Sequence, residues 1–92
     1  MKVWVRVLGD LTELFGDKVY FELEDGSKLK DLIFKFKGKI GYPQGGFLGR
    51  YRITGSNLVM LINGRNINSL GKFETSLKDG DTVTLLPLAP GG

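Results

Sequence analysis

The chain has 92 residues, enough for one small domain with a single hydrophobic core and too few for a second. Because it contains neither cysteine nor histidine, disulfides, thiolate or imidazole metal sites and a Ser-His or Cys-His nucleophile are excluded, and we expect no catalysis by the chain alone. Lys and Arg (13) exceed Asp and Glu (10) only slightly, which weakly favours acidic partners and makes nucleic acid an unlikely one.

Residues 2–8 alternate in polarity, with Val3, Val5 and Val7 on one side of the chain. This pattern predicts a half-buried strand whose valine face lies in the core. The segment lacks the continuous apolar block of a signal peptide, and no apolar run approaches the roughly 18 residues of a membrane-spanning helix. We therefore expect a soluble, cytoplasmic protein with no membrane partner.

A second alternating segment over residues 18–24 predicts another strand, paired with the first as a wide hairpin. An amphipathic helix should follow, capped by Ser27 and ending near Gly38. Its apolar residues fall at i, i+3, i+4 and i+7: Leu29, Leu32, Ile33 and Phe36. We expect this stripe to pack across the valine face of the sheet.

The second half of the chain begins with a segment, residues 38–57, that contains six glycines and no periodicity. Long loops are either tolerated surface excursions or functional, and its aromatic residues either attach it to the body or await a partner. Residues 58–62 predict a central strand, followed by a turn at Asn63-Gly64. Residues 82–86 predict the last strand, which Pro87 should end by removing a hydrogen-bond donor.

This order of elements predicts an α+β domain over residues 1–86, in which a mixed sheet packs on one main helix in the β-grasp arrangement. Residues 87–92 are predicted to form a flexible C-terminal tail. The tail finishes at Gly91-Gly92, and glycine reaches backbone conformations closed to other residues. A carboxylate on such a dipeptide can enter the narrow channel of an enzyme that activates it, although a chance ending is the alternative.

The chain resembles the ubiquitin-like sulfur carriers. This family includes the small subunit of molybdopterin synthase, the thiamine-pathway sulfur carrier, the ubiquitin-related modifier and the archaeal small modifier proteins. The resemblance covers most of the chain and is greatest to the molybdopterin synthase small subunit. It rests on five segments, at residues 2–8, 26–32, 62–67, 77–83 and 86–92.

The resemblance implies a β-grasp fold and a carrier with no permanently bound cofactor. An adenylating enzyme related to ubiquitin-activating enzymes would use ATP to join AMP to the carboxylate of Gly92, and a sulfur donor would then form a thiocarboxylate. The sulfur would pass to the large subunit of molybdopterin synthase or to another acceptor enzyme. The rest of the tail would present Gly92 to these partners: Pro87, Leu88, Ala89, Pro90 and Gly91.

Strand parity predicts a partner-binding surface on the sheet face away from the helix. Its candidate residues are Trp4, Arg6, Thr84 and Leu86, with Leu61 as a further member. Arg65, near the following turn, is a separate candidate that would bind an acidic group of a partner. An exposed Trp beside an Arg is typical of interface anchors. Alternatively, Trp4 packs against residues 38–57 and only shields the sheet, and Arg65 is simply solvated.

Three functions are consistent with these residues. The first is a sulfur carrier for molybdopterin synthesis, or for tRNA thiolation or thiamine synthesis. The second is a protein modifier joined to lysines of target proteins through Gly92, and the third is an interaction module in which the terminus has no role.

Overall fold

Strands β1 (Lys2–Val7) and β2 (Lys18–Glu22) form an antiparallel hairpin in the computed structural model, which describes residues 1–39, 46–48, 51–53 and 57–88. A 3-10 turn (Gly9–Leu11) and a one-turn helix α1 (Thr12–Phe15) join the two strands. The alternation predicted for β1 is confirmed, since Val3, Val5 and Val7 are fully buried. The polar positions of the same strand therefore lie on the opposite face.

Helix α2 (Leu29–Lys39) crosses the valine face. All four residues of the predicted apolar stripe are buried, and the ring of Phe36 meets that of Phe21 edge to face at 6.1 Å. The predicted cap differs, because the amide of Lys28 donates to the Asp31 carboxylate at 2.8 Å. Asp31 thus supplies the described capping hydrogen bond in place of Ser27, as an acidic residue in the third helical position can.

The main sheet has five strands in the order β2-β1-β7-β5-β6 and is mixed, since β1 and β7 are parallel and the other pairs antiparallel. Strand β5 spans Leu58–Ile62, β6 spans Arg65–Asn66, and β7 spans Thr82–Pro87. The middle position belongs to β7. This α+β arrangement of one mixed sheet and one main helix agrees with the prediction.

Two features of β5 and its turn bear on the predictions. Asn63 (φ 51°) and Gly64 (φ 84°) both adopt the positive φ that was expected of this tight turn. Strand β5 is interior, but its residues alternate between buried and half-buried. Val59 and Leu61 are therefore partly exposed on the face away from α2.

Two described parts of the glycine-rich segment, residues 46–48 and 51–53, contain regular structure that the sequence did not indicate. Strands β3 (Phe47–Leu48) and β4 (Tyr51–Arg52) form a small antiparallel sheet. Tyr51 is only 5% exposed and joins the hydrophobic core. Of the two roles predicted for the aromatic residues of the 38–57 segment, Tyr51 fulfils the first, since it attaches the segment to the body.

Two further 3-10 turns, Ile67–Ser69 and Lys72–Glu74, lead back to β7, and Ile67 is buried as a core plug. The ammonium groups of Lys28 and Lys30 each lie 2.8 Å from the Glu74 carboxylate and so join the start of α2 to the second turn. Within the described residues, no helix is long and apolar enough to cross a membrane.

Candidate functional site

The candidate site has two parts, the sheet face away from α2 and the base of the tail at the end of β7. We call this sheet face the outer face. Alternation along β1, β2, β5 and β7 places eleven side chains on it. They are Lys2, Trp4, Arg6, Lys18, Tyr20, Glu22, Val59, Leu61, Thr82, Thr84 and Leu86.

One row of the outer face brings together three residues of the predicted partner-binding set. Arg6 of β1 is in register with Thr84 of β7, and Thr84 is in register with Leu61 of β5. Arg6 is exposed, whereas Thr84 and Leu61 are half-buried. Leu86 lies on the same face two residues further along β7, opposite Val59. The row thus combines a cation, a hydroxyl and partly exposed apolar side chains.

Trp4 lies within a cluster of aromatic and cationic side chains. Its ring meets that of Tyr20 edge to face, with 5.3 Å between centroids and 62° between planes. The ammonium groups of Lys2 and Lys18 lie 4.9 Å and 4.7 Å from the centroid of the Trp4 ring, within the range of cation–π attraction. The ring contacts described for Trp4 are thus with β1 and β2, whereas the alternative prediction placed it against residues 38–57.

Arg65 is not brought to this surface. It is in register with Ile62, whose side chain is buried on the core side, and directly paired residues of antiparallel strands share a face. Arg65 therefore lies on the opposite side of the sheet from Arg6, at the edge strand β6. Its neighbour Asn66, paired with Leu61, lies on the outer face.

The outer-face residues absent from the predicted set include the three that contact the Trp4 ring: Lys2, Lys18 and Tyr20. The sequence of β2 could have predicted two of them, since Lys18 and Tyr20 alternate with the buried Phe21 and so lie on the face away from the core. Their position beside Trp4 and Arg6, however, depends on the register of the hairpin. That register is set by the intervening turn, where the Val7 amide donates to the Asp17 carbonyl at 2.9 Å.

The base of the tail is held by the sheet. Pro87 is the last residue of β7, in register with Leu58, so the strand runs one residue past the predicted boundary at residue 86. The amide of Leu88 donates to the Asn57 carbonyl at 2.8 Å, and the Leu88 side chain is exposed. The remaining predicted tail residues, Ala89, Pro90, Gly91 and Gly92, lie outside the described residues.

Over the rest of the described surface, the electrostatics give no second site. Hydrogen bonds from Lys28 and Lys30 lower the pKa of the Glu74 carboxyl from 4.5 to about 2, which matches its role as a surface tie between α2 and the nearby turn. Among the described residues, no group of three or more Asp and Glu side chains is arranged to hold a metal ion.

The sequence and the fold of this chain were compared with those of known proteins. The small archaeal modifier protein 3 of Haloferax volcanii is 27% identical over 96 residues, with all of both chains covered. The solution structure of small archaeal modifier protein 1 from Methanosarcina acetivorans superposes with a TM-score of 0.75 at 30% identity, over 99% of this chain and 96% of that one.

A third likeness is to a complex of subunits 1 and 2 of molybdopterin-converting factor from Helicobacter pylori. It has a TM-score of 0.59 and 26% identity and covers all of both chains. The ThiS family model matches residues 5–92, nearly the whole sequence and including Gly91-Gly92. The chain therefore belongs to the ThiS family of ubiquitin-like sulfur carriers and modifiers and has the β-grasp fold.

Proposed function

We propose that the carboxyl group of Gly92 is activated by an adenylating partner enzyme and converted to a thiocarboxylate, which donates its sulfur in molybdopterin synthesis. The observation that carries the proposal is the family match over residues 5–92, because it extends through Gly91-Gly92. The likeness to the Helicobacter pylori complex supports the choice of pathway, since that structure contains two subunits of molybdopterin-converting factor.

The chemistry needs activation because a carboxylate is a poor electrophile. A carboxylate oxygen of Gly92 attacks the α-phosphorus of ATP, and pyrophosphate leaves, which gives an acyl-adenylate. A hydrosulfide then adds to the acyl carbon, and AMP leaves with the oxygen that it shares with that carbon, so that one carboxyl oxygen is replaced by sulfur. The chain contains no Cys or His, and in this proposal the partner supplies the groups that promote both steps.

We propose the outer face as the docking surface for the activating and acceptor partners. Trp4, Leu61 and Leu86 expose part of their apolar surface there, and Arg6 lies in the same face. Aromatic residues and Arg are enriched in protein interfaces, while a polar rim keeps such a face compatible with water in the free protein. The base of the tail at Leu88 follows directly from Leu86, so docking would bring the tail to the partner.

A protein modifier is the second candidate. Two relatives are described as small archaeal modifier proteins, and one of them reaches 30% identity in a solved structure. In this function the acyl-adenylate of Gly92 is attacked by the amine of a lysine on a target protein. An amide bond forms, AMP leaves and the lysine nitrogen loses a proton. Activation is common to both functions, and only the nucleophile differs.

Intact mass spectrometry after reconstitution separates the two candidates. The full chain is incubated with an adenylating enzyme of the same organism, ATP, Mg²⁺ and sulfide, with and without a lysate of the organism as a source of target proteins. A carrier gains the mass of one sulfur in place of one oxygen, located at Gly92 by fragmentation. A modifier forms lysine adducts that are absent for a variant lacking Gly91-Gly92. If neither the thiocarboxylate nor the lysine adducts form, the proposal is refuted.

A further inference from the structure

The end of β7 is held on both sides. The strand lies between β1, which runs parallel to it, and β5, which runs antiparallel. On the first side, the Leu8 amide donates to the Leu85 carbonyl at 3.1 Å. On the second side, the Leu88 amide donates to the Asn57 carbonyl at 2.8 Å. The backbone is therefore fixed through Leu88, the second residue of the predicted tail.

Gly9 lies directly against the Pro87 ring. A Cβ atom at Gly9 would lie 2.9 Å from the Cγ of Pro87, closer than real Cβ contacts allow. The residue also has a φ of +65°, which disfavours any side chain. The close approach of the first turn to the tail base thus depends on glycine at this position.

The next residue, Asp10, connects this contact to strand β4. The hydroxyl of Tyr51 donates to the Asp10 carboxylate, with distances of 2.8 Å and 3.0 Å to its two oxygens. Because the Tyr51 ring is buried in the core, its hydroxyl is held in place, and its hydrogen bond in turn holds the Asp10 side chain. A hydrogen bond to a charged acceptor is among the stronger ones in proteins.

We propose that Gly9, Asp10, Tyr51 and the carbonyl of Asn57 form a tail clamp that sets where the tail leaves the fold and how far Gly92 reaches. This inference rests on the proposed activation of Gly92. Four residues, 89–92, follow the last described hydrogen bond and span at most about 14 Å when extended. If Pro87 and Leu88 were released, the six residues from 87 on would span about 20 Å. The clamp residues are positioning residues for the tail.

The clamp makes the docking of the tail less costly in entropy. A tail that leaves the fold at a fixed point has fewer conformations to lose when it enters a partner's channel, and such preorganisation favours binding. Loosening the clamp should therefore raise KM for the activating enzyme and leave kcat nearly unchanged, because the chemistry at Gly92 is untouched.

Amide hydrogen exchange tests the clamp on the protein alone. Gly9→Ala should displace Pro87 and speed exchange at Leu88 about tenfold relative to Asn63, whose amide bonds the Thr82 carbonyl at the other end of β7. Gly26→Ala is the matched control, since Gly26 also has positive φ (+88°) but its added Cβ would meet nothing within 4 Å. The control should leave the ratio of the two exchange rates at its wild-type value.

Tyr51→Phe is the second variant, because it removes only the hydroxyl and keeps the buried ring. We expect a severalfold rise in the ratio of Leu88 to Asn63 exchange. An unchanged ratio in both Gly9→Ala and Tyr51→Phe would overturn the clamp. This measurement needs no enzyme, so it tests the clamp independently of whether Gly92 is activated.

A deletion tests the effect of the clamp on reach. Removing Ala89 shortens the tail by about 3.5 Å and should raise KM for adenylation about tenfold or more. Adding Gly9→Ala to the deletion should restore part of that loss, although Gly9→Ala alone raises KM in the full-length chain. If the double variant is no better than the deletion, the clamp does not set the reach of Gly92. If the wild-type chain is not adenylated at all, the proposed function fails instead.

Discussion

Arg6 and Lys18 lie directly opposite each other on β1 and β2, so two exposed cations share one row of the outer face. Like charges in directly paired positions destabilise a sheet, by up to about 1 kcal/mol. A cost of this kind at a surface position is understandable if the pair meets an acidic group of a partner. The pair therefore connects the stability of the hairpin to its proposed role in docking.

Arg6→Glu should change stability and binding in opposite directions. A glutamate opposite Lys18 makes an attractive pair, so the free energy of unfolding in urea should rise by about 0.3–1 kcal/mol. Affinity for the adenylating enzyme should fall about tenfold, as when an interface anchor is lost. Lys72→Glu is the control, because it changes the net charge by the same amount at an exposed site away from the outer face. Lys72 lies near Glu74, whose carboxylate forms an ion pair with Lys28. Equal loss of affinity in both variants would contradict the assignment of the outer face.

Leu85→Ala should be strongly destabilising. Leu85 is fully buried in the central strand β7, between Val7 of β1 and Met60 of β5, and its truncation leaves a cavity in the hydrophobic core. The free energy of unfolding should fall by about 2–5 kcal/mol. Leu88→Ala, at an exposed side chain, should change it by less than about 0.5 kcal/mol in the same urea titration. A small effect at Leu85 would contradict the described core.

Glu74→Gln should remove a pH-dependent contribution to stability. The pKa of the Glu74 carboxyl is lowered to about 2 in the folded protein from an ordinary 4.5, so the folded state favours the ionised form. The contribution is fully present above pH 4.5 and is lost as the pH falls towards 2. It is small, because the carboxylate is exposed and salt screens it.

The measurement compares wild type with Glu74→Gln by urea denaturation at several pH values. The difference in stability should be constant above about pH 5 and shrink towards pH 2. Glu13→Gln is the control, since Glu13 makes no ion pair within the described part of the chain. A difference in stability between wild type and Glu74→Gln that grows as the pH falls would contradict the lowered pKa of Glu74 in the folded protein.

Local periodicity was sufficient to predict the elements that build the core. The valines of β1 and the apolar stripe from Leu29 to Phe36 could be predicted as buried, because burial repeats along the sequence with the period of the strand or helix. The turn at Asn63-Gly64 was also predictable, since few residues other than glycine and asparagine adopt its backbone geometry. These features depend only on residues close together in the sequence.

The features that were missed depend on residues far apart in the sequence. The Tyr51–Asp10 hydrogen bond joins residues 41 positions apart, and no local pattern marks either as the partner of the other. The register that places Lys18 opposite Arg6 is set by a turn without a standard motif. The side of the sheet on which Arg65 lies was not predicted, because the parity of a two-residue strand is fixed by its pairing with Ile62 and cannot be read from periodicity.

The measurement that tests the central claim most directly is pyrophosphate exchange into ATP, catalysed by the adenylating enzyme in the presence of this chain. Exchange reports reversible formation of the acyl-adenylate before any sulfur or lysine is involved, so it is common to the carrier and modifier functions. The account predicts exchange that depends on the full chain, is abolished when Gly91-Gly92 is removed, and yields a hydroxamate at Gly92 when hydroxylamine is added. Exchange that is equal with the truncated chain, or a hydroxamate at any other carboxyl, would contradict it.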